Sequence, residues 1–231
     1  MAEGGKVKNI GNKVSAQQKA RQAYESPRMR VRENKHATDA GLTPEQRKAA
    51  NKTENAIRNR KTEVVYSIDE QGNVTKSSYT GNARRARVLP GAIKPNSVIT
   101  HNHPDSQDQP VYMNGRRIGV RGGGQGMGAR IGSSLSGADI RSAILTNAKE
   151  IRAVSPTYTF SVRRPEGGWG VSASQVLSEW QNEYNRFVNA NREYARSSRE
   201  ALGRVNAVAS HQATRTIAKK YGFTYTRRKS V

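Results

Sequence analysis

Ser97-Val-Ile-Thr-His-Asn-His-Pro104 is the stretch from which this chain is best read. Ser97-Val-Ile-Thr100 is a short β-branched run, the composition of a buried strand, and it ends directly on His101-Asn-His103-Pro. Along a strand, side chains at i and i+2 project to the same face, so His101 and His103 bring two imidazoles to one point. A metal ion needs that kind of convergence. The chain has no cysteine, so a third ligand has to be a carboxylate or another histidine. Asp139, in the first turn of a helix opened by Ser136-Gly-Ala-Asp139, is the natural candidate. Three ligands with a fourth position open is the pattern of a catalytic zinc, not of a structural one. A water at such a position becomes acidic enough to act as a nucleophile near neutral pH, with a nearby carboxylate to take its proton. Plainer explanations exist for the same residues. An H-x-H pair is also found on surface strands, and S-x-x-D is also an ordinary capping box, with Ser at the N-cap and Asp at the third helical position.

Outward from this stretch, the pattern alternates short strands and helices. Thr43-Pro-Glu-Gln46 is a helix start, with Thr as N-cap, Pro at the first helical position and Gln at the third. That helix is expected to run to about Lys61. Glu63-Val-Val-Tyr-Ser-Ile-Asp69 and Val74–Tyr79 flank turn residues and read as a hairpin. A further short strand is expected over Arg84–Val88. Between Pro104 and Ser136 lies an insertion, 105–135. Asn114-Gly115 predicts a type I′ hairpin turn within Val111–Val120, and the glycine run 121–128 follows it. Its glycines do not lead into G-K-[ST], so it is not a phosphate-binding loop. A helix through about Ala148, two strands at Glu150–Val154 and Tyr158–Val162, and two C-terminal helices complete the pattern. The first helix is read as one amphipathic span from Ser174 to about Ala201, with Trp180, Tyr184 and Phe187 on its core face. The second spans roughly 204–220, with Gly222 as its C′ residue and a basic tail behind it. This order predicts an α+β or α/β domain, a mixed β-sheet flanked by helices, over 42–170. A basic disordered arm, 1–41, precedes it and a helical extension, 171–231, follows.

Composition limits the size of the core. The 231 residues include 40 Lys+Arg against 18 Asp+Glu, a net charge of +22, with 34% hydrophobic and 6% aromatic residues. An ordinary domain is about 45–50% apolar, so one modest domain with basic flanks is expected. No segment approaches the roughly 18 apolar residues of a membrane span, and the start lacks the apolar region of a signal peptide. A cytoplasmic location is the simplest expectation. The charge implies an anionic partner, nucleic acid first among them, bound in a salt-dependent way.

Thr100-His-Asn-His-Pro104 followed by Ser136-Gly-Ala-Asp139 resembles the motif of the JAB/MPN (JAMM) metalloprotease family, including its RadC-like branch. That motif is an upstream glutamate, then H-x-H-P, then S-x-x-D. The resemblance implies a JAB/MPN-like (cytidine-deaminase-like) fold and a zinc-dependent hydrolase of peptide or isopeptide bonds, with a protein substrate. It implies His101, His103 and Asp139 as Zn2+ ligands and Ser136 as a group that helps hold the oxyanion. Glu63 is implied as the catalytic base, with Glu54 as the alternative. The chain departs from the family in its long 105–135 insertion, where about six residues are usual. Ser134-Leu-Ser-Gly-Ala-Asp-Ile140, Gly168-Trp169 and Tyr221-Gly-Phe-Thr-Tyr225 are also similar to JAB-like domains of phage minor head proteins and mobile-element toxins. A virion-associated location follows if the chain is phage-encoded. Two other functions stay open: a nucleic-acid-binding or virion-associated protein on the same scaffold, and a metal-dependent nuclease toxin. His211, a lone helical histidine, is a minor candidate for the site.

Overall fold

The computed structural model describes residues 41–60, 62–78, 86, 88–89, 91–104, 109–113, 116–121 and 134–229. The expected N-terminal arm and the glycine run of the insertion, apart from single flanking residues, lie outside the described residues. Most of the Arg84–Val88 strand does too, although Val88 forms an isolated bridge with Ser78.

The chain opens with α1 (Pro44–Ile57), which carries the full capping box expected of Thr43 and Gln46. The Gln46 amide donates to Thr43 Oγ1 at 3.0 Å, and Gln46 Oε1 accepts from the Thr43 amide at 3.3 Å. The strands β1 (Val65–Ile68) and β2 (Val74–Lys76) follow as an antiparallel pair, then β3 (Val98–Asn102). Within the insertion, β4 (Gln109–Met113) and β5 (Arg116–Arg121) form a separate two-stranded sheet. Met113 pairs with Arg116, while the expected turn residues Asn114-Gly115 lie outside the described residues. Next come α2 (Gly137–Leu145), β6 (Glu150–Val154), β7 (Tyr158–Arg163), α3 (Ala173–Ala190), α4 (Arg192–Ser197), α5 (Arg199–Tyr221) and β8 (Thr224–Lys229).

Six strands form one mixed sheet in the order β2-β1-β3-β6-β7-β8. Only β3 and β6 run parallel, joined by the crossover that contains α2. The architecture is α+β. The period of two sorts the strand residues between two faces. Val65, Ile99, Ile151, Ala153, Phe160 and Val162 enter the main core with Leu135, Ile140, Trp180, Ile217 and Phe223 from the helices α2, α3 and α5 and their flanking segments. Leu42, Ala50, Ile68 and Val98 form a smaller cluster under α1 on the opposite face.

That second face is also strongly polar. Arg152 is fully buried; its Nη1 lies 2.9 Å from Glu54 Oε1 and its Nε 2.7 Å from Glu150 Oε1. Arg228 of β8 reaches the other Glu54 oxygen at 3.4 Å. A helix that looks polar all round in sequence is therefore half buried, because its buried charges have partners far along the chain.

Two features differ from the sequence reading. The single helix expected over Ser174–Ala201 is broken. Asn191 leaves helical geometry (φ −114°, ψ 19°) while its side-chain amide donates to the Phe187 carbonyl at 2.8 Å. Ser198 is extended (φ −164°, ψ 165°) and caps α5 by accepting from the Ala201 amide at 3.0 Å. The second difference is β8: the expected basic tail is an edge strand, paired antiparallel with β7. It begins just past Gly222, whose φ of 73° ends α5 in the left-handed conformation that glycine adopts without strain.

Candidate metal centre

His101 lies within β3, and His103 follows at its end on the same face. Asn102, pointing the other way, fixes this strand end in place. Its Oδ1 accepts from the Val64 amide at 2.9 Å, and its Nδ2 donates to the Arg60 and Thr62 carbonyls at 3.3 and 3.1 Å. The His103 amide donates to the Val154 carbonyl at 2.8 Å, which continues the pairing with β6. The backbone at both histidines is therefore held before any ligand arrives.

Asp139 comes from the first turn of α2, where the capping box is complete. Its Oδ2 accepts from the Ser136 amide at 2.6 Å and from Ser136 Oγ at 2.7 Å, while the Asp139 amide donates back to Ser136 Oγ at 3.2 Å. One carboxylate oxygen is thus committed to the cap and the other faces the histidines. Capping and ligation, alternative explanations when only the sequence is read, use different atoms of one side chain.

His101 Nε2 lies 3.1 Å from His103 Nε2 and 3.5 Å from Asp139 Oδ1. One donor atom from each of the three residues falls within 4.8 Å of the others, and His101 is buried while His103 and Asp139 are half-buried. Among the described residues this is the group of His and carboxylate side chains that could hold a metal ion. The donors fit such an ion. Zinc–nitrogen bonds of about 2.0–2.1 Å place tetrahedral ligand atoms roughly 3.3 Å apart, close to the two shorter separations here.

Electrostatics couples the same groups. Burial opposes charge on His101, but the Asp139 carboxylate overrides it, with further help from Glu63 and a hydrogen bond to the Arg152 backbone, so the His101 pKa is raised. Burial likewise opposes charge on Asp139, yet the His101 and His103 rings and the Ser136 amide hold its pKa well below the usual carboxylate range. A divalent cation held by these groups would compete with the protons that the two imidazoles bind.

The two candidate glutamates separate clearly. Glu54 is fully buried on the α1 face and paired with Arg152 and Arg228. Glu63 precedes β1 and is half-buried. Val65, two residues after Glu63, pairs with His101 in the antiparallel register, which brings the start of β1 beside the end of β3. The Glu63 charge is felt at His101. Ser136 lies beside Asp139, but its single hydroxyl proton is donated to that carboxylate. To serve an oxyanion it would have to give up this acceptor. His211 is elsewhere engaged: its Nδ1 shares a hydrogen bond with the Tyr225 hydroxyl and its ring packs edge-on against Phe160.

The sequence reading overlooked the supports of these residues. Asn102 sits inside the motif itself, and a buried polar side chain in a β-branched strand was the available signal. No protein-family model matches the chain, and neither a curated protein nor a solved structure matches it.

Proposed function

We propose that the protein is a zinc-dependent hydrolase of peptide or isopeptide bonds, of JAB/MPN-like fold and JAMM-like chemistry. The observation that carries this reading is the convergence of His101 Nε2, His103 Nε2 and Asp139 Oδ1, with the second Asp139 oxygen held by the cap. Two neutral imidazoles and one carboxylate are a hard-to-borderline donor set that suits zinc and leaves a coordination position open. The chemistry zinc supplies when bound there is Lewis acidity, which polarises a carbonyl and acidifies water.

The chain's own residues do the rest. His101, His103 and Asp139 bind, and the cap and the Asn102 contacts keep them aimed. Glu63 accepts a proton from the attacking water at its carboxylate and returns it to the departing amine nitrogen. Ser136 orients Asp139 and, on exchanging its acceptor, can donate to the carbonyl oxygen as charge develops there.

The test is the metal content of purified protein beside a His101→Ala/Asp139→Ala variant, followed by peptide and isopeptide substrates for the loaded form. About one zinc per chain in the wild type, lost in the variant, supports the site. No stoichiometric metal even after zinc is supplied overturns it. Metal-dependent nicking of DNA or RNA that disappears in His103→Ala would replace the peptidase reading by a nuclease.

A second activity is favoured by a separate observation. The outer side of α1 and the segment after it expose Arg47, Lys48, Lys52 and Arg60, while Glu54 on the same helix is buried. With the net charge of +22, this surface suits a polyanion such as nucleic acid.

A further inference from the structure

The segment that delivers Asp139 is held from a distance. Residues 105–135 separate it from the histidines, so chain connectivity does little to fix the carboxylate relative to β3. Side chains of the C-terminal segment hold it instead. The Ser134 amide donates to Ser210 Oγ at 3.2 Å, and Ser134 Oγ lies 2.6 Å from the Tyr225 hydroxyl. That hydroxyl also shares a hydrogen bond with His211 Nδ1. At the next residue, the Leu135 carbonyl accepts from Thr214 Oγ1 at 3.0 Å, and Thr214 Oγ1 in turn accepts from Trp180 Nε1 at 3.0 Å. The Leu135 side chain is fully buried in the core.

The third consecutive residue, Ser136, gives its amide to Asp139 Oδ2. Moving 134–135 therefore moves the donor that orients the carboxylate. The other side of the turn is equally tight: a Cβ at Gly137 would meet Leu177 and Trp180 at 3.1 Å. The first turn of α2 is thus seated on α3 and tied to α5 and β8; of the groups involved Ser210, Thr214 and Trp180 are buried, and Tyr225 and Leu177 are half-buried.

We propose that Tyr225, Thr214 and Ser210 are positioning residues for the metal ligand Asp139. In this role α5 and β8 are part of the metal centre and not an appendage to it. The inference rests on the metal-binding reading above. The hydroxyls touch neither the ion nor a substrate; they act through Ser134, Leu135 and Ser136 on the direction of one carboxylate oxygen.

The test uses the full chain and cobalt as the probe, read by its absorption bands and by competition with a chromophoric chelator. Tyr225→Phe and Thr214→Val keep the shape of each side chain and remove its hydroxyl, so the bonds to His211 and from Trp180 are lost with the links to Ser134 and Leu135. Each is expected to weaken cobalt affinity about 10-fold or more, the scale of a lost outer partner of a ligand, and to change the absorption bands. Ser134→Ala added to Tyr225→Phe is expected to cost little further affinity, because both remove the same link. Lower thermal stability with wild-type cobalt affinity and spectrum in both variants would overturn the proposal and make the contacts structural only. Failure of the reading beneath it looks different: the wild type itself would bind no cobalt, or His101→Ala would bind it equally well. Should Tyr225→Phe fail to fold, Thr214→Val and Ser210→Ala carry the same comparison from the other contacts.

Discussion

Single side chains decide the chemistry here, and the two glutamates show how. Glu54 and Glu63 are nearly interchangeable candidates in the sequence, yet they occupy opposite environments. Glu54→Ala removes one carboxylate partner from the fully buried Arg152, so a loss of roughly 3–5 kcal/mol in urea unfolding is expected, the scale of a broken buried ion pair. Its zinc affinity is expected to stay at the wild-type value. Glu63→Gln should reverse that pattern. Stability and zinc affinity hold, while hydrolysis of any substrate the wild type cleaves falls by about 10²–10⁴-fold, the contribution of a positioned base. Measuring unfolding and turnover on both variants checks the assignment. Equal losses of turnover with unchanged stability would put Glu54 back in contention. His211 offers a third residue-level outcome. Burial, aided by the positive charges of Arg227 and Arg215, brings its pKa down to about 3 from the 6.5 usual for histidine. The unfolded chain therefore binds a proton that the folded chain refuses. Stability is whole above pH 6.5 and declines as the pH falls towards 3, by up to ~1.4 kcal/mol per pH unit. Denaturant melts from pH 7 to 4 should show this decline, and His211→Gln should flatten it.

Among the elements, the start of α2 combines two functions that are usually separate. Ser136→Ala removes an N-cap, which costs about 1 kcal/mol of stability. It also removes a donor to Asp139 Oδ2, so zinc affinity is expected to fall together with the melting temperature. A stability loss with unchanged zinc affinity would assign Ser136 to capping alone. Most elements were legible because their signals are local. The Thr43–Gln46 cap, the β-branched run before His101 and Gly222 each fix backbone geometry within a few residues. What escaped depends on contacts distant in sequence. Thr224–Lys229 has a basic composition, and only its pairing with β7 makes it a strand. The break in the long C-terminal helix comes from Asn191 and Ser198, residues that a helical periodicity easily absorbs. The burial of Glu54 needs Arg152 and Arg228, which no pattern within α1 reveals.

For the whole molecule, the excess of positive charge sets the response to salt. If the α1 surface binds nucleic acid, log affinity should fall linearly with log salt, and Lys48→Ser/Lys52→Ser should lower the slope by about one to two. Titration of a labelled DNA duplex at several salt concentrations checks this, and a slope unchanged by the variant would remove α1 from the surface. None of the described helices is long and apolar enough to cross a membrane. The site itself was half legible: the two histidines and the S-x-x-D aspartate stand out in the sequence, but the contacts that tie the segment before Asp139 to α5 and β8 do not. The position of β8 as the last strand of the sheet has a consequence for biosynthesis. At about 5–20 residues per second, on the order of ten seconds separate the synthesis of Asp139 from that of Tyr225. During that interval a ribosome-bound chain carries both imidazoles but lacks the strand that completes the hold on the carboxylate. If the site takes an ion, its full hold on the Asp139 carboxylate then waits for β8, which emerges long after the last of the three ligands.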